Sequence, residues 1–159
     1  CDSLDGLLLI SPNFASHDPR GEWLRHWWGR LLFRLSRGPL HGVDPLSERH
    51  GRFWTTYFPV KAVSNLMNLV ALLRETDFSP ISTPCLVAYA PADQVVDVRP
   101  IERKFGELGS ASKVLLKIEN SDDPLQHVIA GDIRSPATTE FLLTGLLKFL
   151  DSVGISARR

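Results

Sequence analysis

The sequence predicts an α/β fold: a buried parallel sheet flanked by helices and interrupted by a long helical insertion. Three observations predict it. Short, continuous apolar runs occur at 6–10, 85–90 and 112–118, each closed by turn formers, which is how strands buried on both faces of a parallel sheet read. A helical pattern separates the second run from the third, as the crossover between parallel strands requires. The stretch 14–80 is of another kind, rich in aromatic and basic residues, and offers helices rather than strands.

The first run, Gly6-Leu7-Leu8-Leu9-Ile10, is closed by Ser11-Pro12-Asn13. In the insertion, 21–35 places Leu24, Trp27, Trp28, Leu31, Leu32 and Leu35 on one helical face and Arg30, Arg34 and Arg37 on another. A second helix over 60–74 carries Val63, Leu66, Met67, Val70 and Leu73 on its apolar side. The breaker at 81–84 then leads into Cys85-Leu86-Val87-Ala88-Tyr89, which ends at Pro91-Ala92-Asp93. Ile101, Phe105 and Leu108 fit a crossover helix over 98–108, and Gly109 precedes the third strand. Ser135, with Pro136 at the first helical position, reads as the cap of a final helix. Phe141, Leu142, Leu146, Phe149 and Leu150 line one face of it, up to Val153-Gly154, and 156–159 form a frayed tail. The expected division is 1–13 with 81–159 as the sheet-bearing core and 14–80 as a cap or lid.

Composition narrows the classes. With 43% hydrophobic and 23% charged residues the chain has the balance of a globular domain, which excludes disorder. Eighteen basic residues cancel eighteen acidic ones, so bulk charge favours no nucleic-acid partner. No stretch reaches the roughly 18 to 20 apolar residues of a bilayer span, and a soluble, cytoplasmic protein is the expectation. Cys1 and Cys85 do not make a disulfide framework, and Cys85 reads as a buried free thiol. The chain starts at Cys1 without Met and runs almost at once into a strand, so it reads as the continuation of a longer polypeptide. A lipoprotein beginning with Cys is the weaker alternative, because a polar tether is missing.

Two residues carry the chemistry. Asp93 lies just past the C-terminal end of a buried parallel strand, the edge where ligands and reactive side chains gather in open α/β sheets. His127 follows the next strand, about 34 residues on. That is the order in which an acid and a histidine follow a nucleophile on this kind of sheet. The plainer readings are that Asp93 forms a turn and His127 is a loop histidine. Asp97 competes for the acid role but is better explained as the cap of the 98–108 helix, and His17, His26, His41 and His50 are surface or cap residues by default.

Gly6-Leu7-Leu8-Leu9-Ile10-Ser11-Pro12, Asp93-Gln94-Val95-Val96 and His127-Val128 together resemble the second half of an α/β-hydrolase of the monoglyceride-lipase, lysophospholipase and serine-aminopeptidase type. The resemblance implies Asp93 as triad acid and His127 as base. It implies an ester or lipid substrate and no metal or organic cofactor. The aromatic helix around Trp27 and Trp28 reads plainly as a packed cap face and, functionally, as a lid whose inward-facing indoles bind an apolar substrate group. The arginine face of the lid suggests weak attraction to anionic lipid. The Gly-x-Ser-x-Gly elbow of the family is absent, and Ser110 and Ser112 do not replace it because they precede a strand. The nucleophile is then expected upstream of Cys1, leaving the chain inactive alone and prone to self-association along the edge of its first strand. A hydrolase with an aspartate nucleophile, of the dehalogenase or epoxide-hydrolase kind, and a non-catalytic binding module of the same fold remain alternatives.

Overall fold

The computed structural model describes residues 4–155; the start at Cys1 and the tail at 156–159 lie outside them. Three strands, β1 (Leu7–Ile10), β4 (Cys85–Tyr89) and β5 (Lys113–Lys117), form a parallel sheet in the order β1-β4-β5. The register sets Leu7 beside Cys85, and Cys85 beside Lys113. Between β1 and β4 run a 3-10 helix (Pro19–Arg25), α1 (Trp27–Arg37), β2 (Leu40–Gly42), α2 (Glu48–Phe53), β3 (Tyr57–Pro59) and α3 (Val60–Glu75). Helix α4 (Val98–Glu107) joins β4 to β5, and α5 (Pro136–Ser152) closes the chain.

The core follows from the position of β4, which has a strand on each side and a helical layer on each face. Cys85, Val87 and Tyr89 point one way, into a cluster with Phe14, Phe78, Ile101 and Leu108. Leu86 and Ala88 point the other way, with Ala90 beyond the strand end, and meet Ile118, Ile129, Leu142 and Phe149. Every β4 residue is at most 2% exposed, so an unbroken apolar run is what this strand needs.

β1 does not share that environment, and here the structure corrects the expectation of a strand buried on both faces. Leu7 and Leu9 pack against the first cluster, whereas Leu8 and Ile10 are 38% and 48% exposed. The strand lies at the sheet edge, bonded to β4 alone among the described residues.

The 14–80 segment also departs from expectation. The single helix foreseen over 21–35 is two: Asp18 caps the 3-10 helix by accepting from the N–H of Arg20, Pro19 starts it, and His26 is extended before α1 begins. A small antiparallel ribbon of β2 and β3 stands where only helices were expected, pairing Leu40 with Pro59 and Gly42 with Tyr57. Both strands are three residues long, too short to show alternation in sequence.

Helix faces are rotated relative to the sequence pattern too. On α3 the buried line is Val60, Ser64, Met67, Val70 and Ala71. On α5, Leu142 and Phe149 face inward while Phe141 is exposed. Ser135 does sit at the start of α5, but its hydroxyl donates to the carbonyl of Val128 instead of capping the helix. Among the described residues no helix is long and apolar enough to cross a membrane.

Candidate active site

β4 ends in a tight turn in which the N–H of Asp93 donates to the carbonyl of Ala90 at 3.1 Å. Oδ1 of Asp93 then accepts from the N–H groups of Val95 (2.7 Å) and Val96 (2.9 Å), the Asx geometry that fixes a short acidic side chain against its own backbone. This leaves Oδ2 aimed at the loop after β5, where it lies 2.8 Å from Nδ1 of His127. The Asp93 side chain is fully buried and that of His127 is 30% exposed. A buried carboxylate is tolerable here because both of its oxygens have partners.

Three further contacts tie the loops together. The N–H of Gln94 donates to the carbonyl of Leu125 at 2.9 Å, joining the Asp93 loop to the His127 loop. The hydroxyl of Ser11, at the end of β1, donates to the carbonyl of His127 at 2.7 Å. The chain leaving β1 pairs antiparallel with the Asp93 loop, as the N–H of His17 donates to Val95 and that of Asp97 to Ala15. Asp97 caps α4 through the N–H of Arg99, so it is the less suited of the two acids to meet the histidine.

The chemistry of this pair follows from its donors. An ionised carboxylate only accepts, so the neutral imidazole meets it with Nδ1 protonated and keeps the Nε2 lone pair for another proton. Sequence reasoning did not single out Ser11 for this loop contact, although it lay within the quoted stretch from Gly6 to Pro12.

The two tryptophans are placed otherwise than expected. Trp27 is 70% exposed and Trp28 40%, and neither lines the large cleft beneath α1 and α3. The cause is Gly29, where any Cβ would collide with the backbone carbonyl of Trp23. That close approach fixes α1 with Gly29, Leu32, Phe33 and Ser36 turned to the cleft and throws Trp27 outward. Trp23 lines the cleft in their stead, and Trp28 packs behind it with ring centroids 5.9 Å apart.

The cleft has a volume of about 930 Å³ and a mostly apolar lining that includes Val63, Leu66 and Met67. It meets the Asp93 loop at Val95 and the end of β1 at Asn13, whose side-chain oxygen is buried without a hydrogen-bond partner. Asp93 and His127 do not themselves line it.

No family model and no curated protein matches the chain. Solved structures do. A soluble variant of the monoglyceride lipase of Saccharomyces cerevisiae, in complex with a substrate analogue, superposes with a TM-score of 0.64 at 14% identity, over 94% of this chain and 56% of that one. A structure from work on LipS and LipT, two metagenome-derived lipolytic enzymes, gives 0.69 at 20% identity over 95% and 56%. The monoacylglycerol lipase of Paleococcus ferrophilus gives 0.66 at 19% identity over 98% and 61%. This chain therefore spans little more than half the length of these proteins, and what it shares with them at such identities is architecture: the fold is that of the C-terminal part of an α/β-hydrolase.

Proposed function

We propose that this chain supplies the acid and the base of a triad that hydrolyses carboxylic esters of lipid type, with Asp93 the acid and His127 the base. The observation that carries this reading is the 2.8 Å contact between a buried carboxylate after β4 and an imidazole after β5, at the sheet edge where such sites form. In the proposed reaction Nε2 of His127 takes the proton of a serine hydroxyl as it attacks the ester carbonyl. The same nitrogen returns that proton to the leaving alcohol, and a second cycle with water releases the acid. Asp93 fixes the tautomer and stabilises the imidazolium that forms in between.

The serine and its oxyanion hole belong, on this reading, to another stretch of the full reading frame, since no Gly-x-Ser-x-Gly occurs in these 159 residues. Residues 14–80 serve as the cap, and the apolar cleft beneath α1 and α3 accepts the acyl chain. Lipolytic names among the similar structures favour the lipid reading over other esters. Without the nucleophile-bearing stretch the chain is inactive and self-associates through β1, whose outer edge is free among the described residues and whose Leu8 and Ile10 are exposed.

The test is turnover of a nitrophenyl ester by the full reading frame, by the 159-residue chain alone, and by His127→Ala and Asp93→Asn in the full frame. The chain alone is expected to be silent, and each substitution to lower kcat by about 10³- to 10⁴-fold, the usual cost of a triad member. Full activity in His127→Ala, or turnover by the isolated chain, overturns the reading.

A further inference from the structure

His127 is held twice, once through its ring and once through its backbone, and the second hold has its own buried charge. Oδ2 of Asp123 accepts from the N–H of His127 (3.0 Å) and from the N–H of Val128 (2.9 Å). Oδ1 receives the guanidinium of Arg134, and the Asp123 side chain is 1% exposed. Between Asp123 and His127 stands Gln126, with φ of 54°, a left-handed conformation that side-chain-bearing residues rarely adopt. Its amide braces the loop from inside: the oxygen accepts from the N–H of Ser121 at 3.0 Å, and the nitrogen donates to the carbonyls of Ser121 and Asp123.

We propose that Asp123, locked by Arg134, is the positioning residue of the base: it sets the His127 peptide so that the imidazole meets Asp93. This rests on His127 being the base, as argued above. A loop that carries a left-handed glutamine next to the base holds that shape only where its surroundings over-determine it. Asp123 gathers two successive N–H groups on one oxygen, which fixes the peptide plane entering the histidine and the one leaving it. Ser11 takes the carbonyl of the same residue from the opposite side, so the backbone of His127 is pinned at both of its polar groups. Burial works against the charge on Asp123, but the N–H groups of Val128 and His127 and the Arg134 guanidinium outweigh it and hold the carboxyl below its usual range. The clamp is therefore charged at neutral pH, which makes its two N–H bonds stronger than neutral ones. Asp93 and Asp123 divide the work, one acting on the ring and one on the main chain.

The test reads the Nδ1–H proton of His127 by NMR in the full reading frame labelled at the histidine ring nitrogens, assigned with His127→Gln. In the wild type a downfield resonance that disappears in Asp93→Asn is expected, marking the ring-to-acid bond. Asp123→Ala is expected to abolish or broaden that resonance beyond detection and to mix the two neutral tautomers, while the backbone shifts of β4 and α5 stay in place. Asp123→Asn, paired with Arg134→Gln so that an amide replaces each ion, keeps an acceptor for the two N–H groups and is expected to restore the signal. An unchanged resonance in folded Asp123→Ala overturns the clamp and leaves the triad reading intact. Should Asp123→Ala not fold, the paired variant decides: loss of the signal there in a folded protein overturns the clamp, and its retention supports it. A wild type with no resonance sensitive to Asp93→Asn overturns the triad reading and the clamp with it.

Discussion

β4 and α1 are both rich in apolar residues, yet β4 is buried to its last residue while Trp27, Leu31, Leu32 and Leu35 of α1 are 49% to 76% exposed. The difference is one of surroundings. A central parallel strand has neighbours on both faces and both edges, so any apolar residue along it finds a partner. A helix packed on other helices, as α1 is on the 3-10 helix and α3, buries one stripe, and when apolar residues ring most of the helix, composition no longer says which stripe that is. On α1 the choice falls to Gly29, where the backbone can approach most closely.

Two substitutions at the sheet end of the molecule test the depth of that difference. Removing one partner of a buried ion pair strands the other, at a cost of about 3 to 5 kcal/mol, so Asp123→Ala is expected to lower stability at neutral pH by about that much. Because the folded-state pKa of Asp123 lies below the ordinary 3.8, its stabilisation is present above the unfolded value and lost as pH falls through the folded one. Urea melts from pH 7 down to 3 should show the gap between wild type and Asp123→Ala narrowing below about pH 5. A gap independent of pH would mean that the charge contributes nothing. The 14–80 segment has a counterpart in Glu22, paired with Arg74 and Arg25 but 29% exposed, where screening makes any such contribution smaller.

Leu86→Ala comes next: at 0% exposure the lost methylenes leave a cavity between β4 and α5, worth about 2 to 5 kcal/mol. Leu35→Ala, at 76% exposure, should change stability by less than about 0.5 kcal/mol. Chemical melts of the pair measure the contrast, and equal losses would erase the distinction between β4 and α1. Gly29→Ala sits between them, since the added methyl must push α1 off Trp23 at about 1 to 3 kcal/mol. Hydrogen exchange should place that loosening in α1 and its neighbours and leave β4 protected.

The same contrast explains what the sequence made legible. Three strands and their flanking helices were readable because runs such as Cys85-Leu86-Val87-Ala88-Tyr89 have one plausible environment, and the observed ends lie within two residues of those expected. The meeting of Asp93 with His127 was foreseeable in outline, because each lies in a loop that follows a parallel strand, Asp93 four residues past β4 and His127 ten past β5. What escaped were features decided by tertiary contact. The exposed side of β1 depends on what lies beyond its edge, and the β2–β3 ribbon is too short for a periodic signal. Asp123 went unremarked, because nothing in Asp122-Asp123-Pro124 announces that its carboxylate folds back onto the N–H of a residue four positions on. Trp27 and Trp28, foreseen as turned inward, are 70% and 40% exposed, and the face of α1 that makes the close approach is the one at Gly29, which carries no side chain to mark it in the sequence.

That last point carries the smallest expected effect on stability. Trp27 is 70% exposed and does not line the cleft, so Trp27→Ala should leave stability within about 0.5 kcal/mol of wild type. In the full reading frame it should also leave the preference between short-chain and long-chain nitrophenyl esters unchanged. Trp23 lines the cleft, and on the proposed function replacing it with Ala removes apolar wall that a long acyl chain covers and a short one does not. Trp23→Ala should therefore raise KM for the long ester several-fold and leave the short one nearly untouched, since each buried methylene is worth about 0.8 kcal/mol. If Trp27→Ala shifts the chain-length preference and Trp23→Ala does not, the phase assigned to α1 is wrong and the acyl chain of the proposed substrate runs over the outer face of α1.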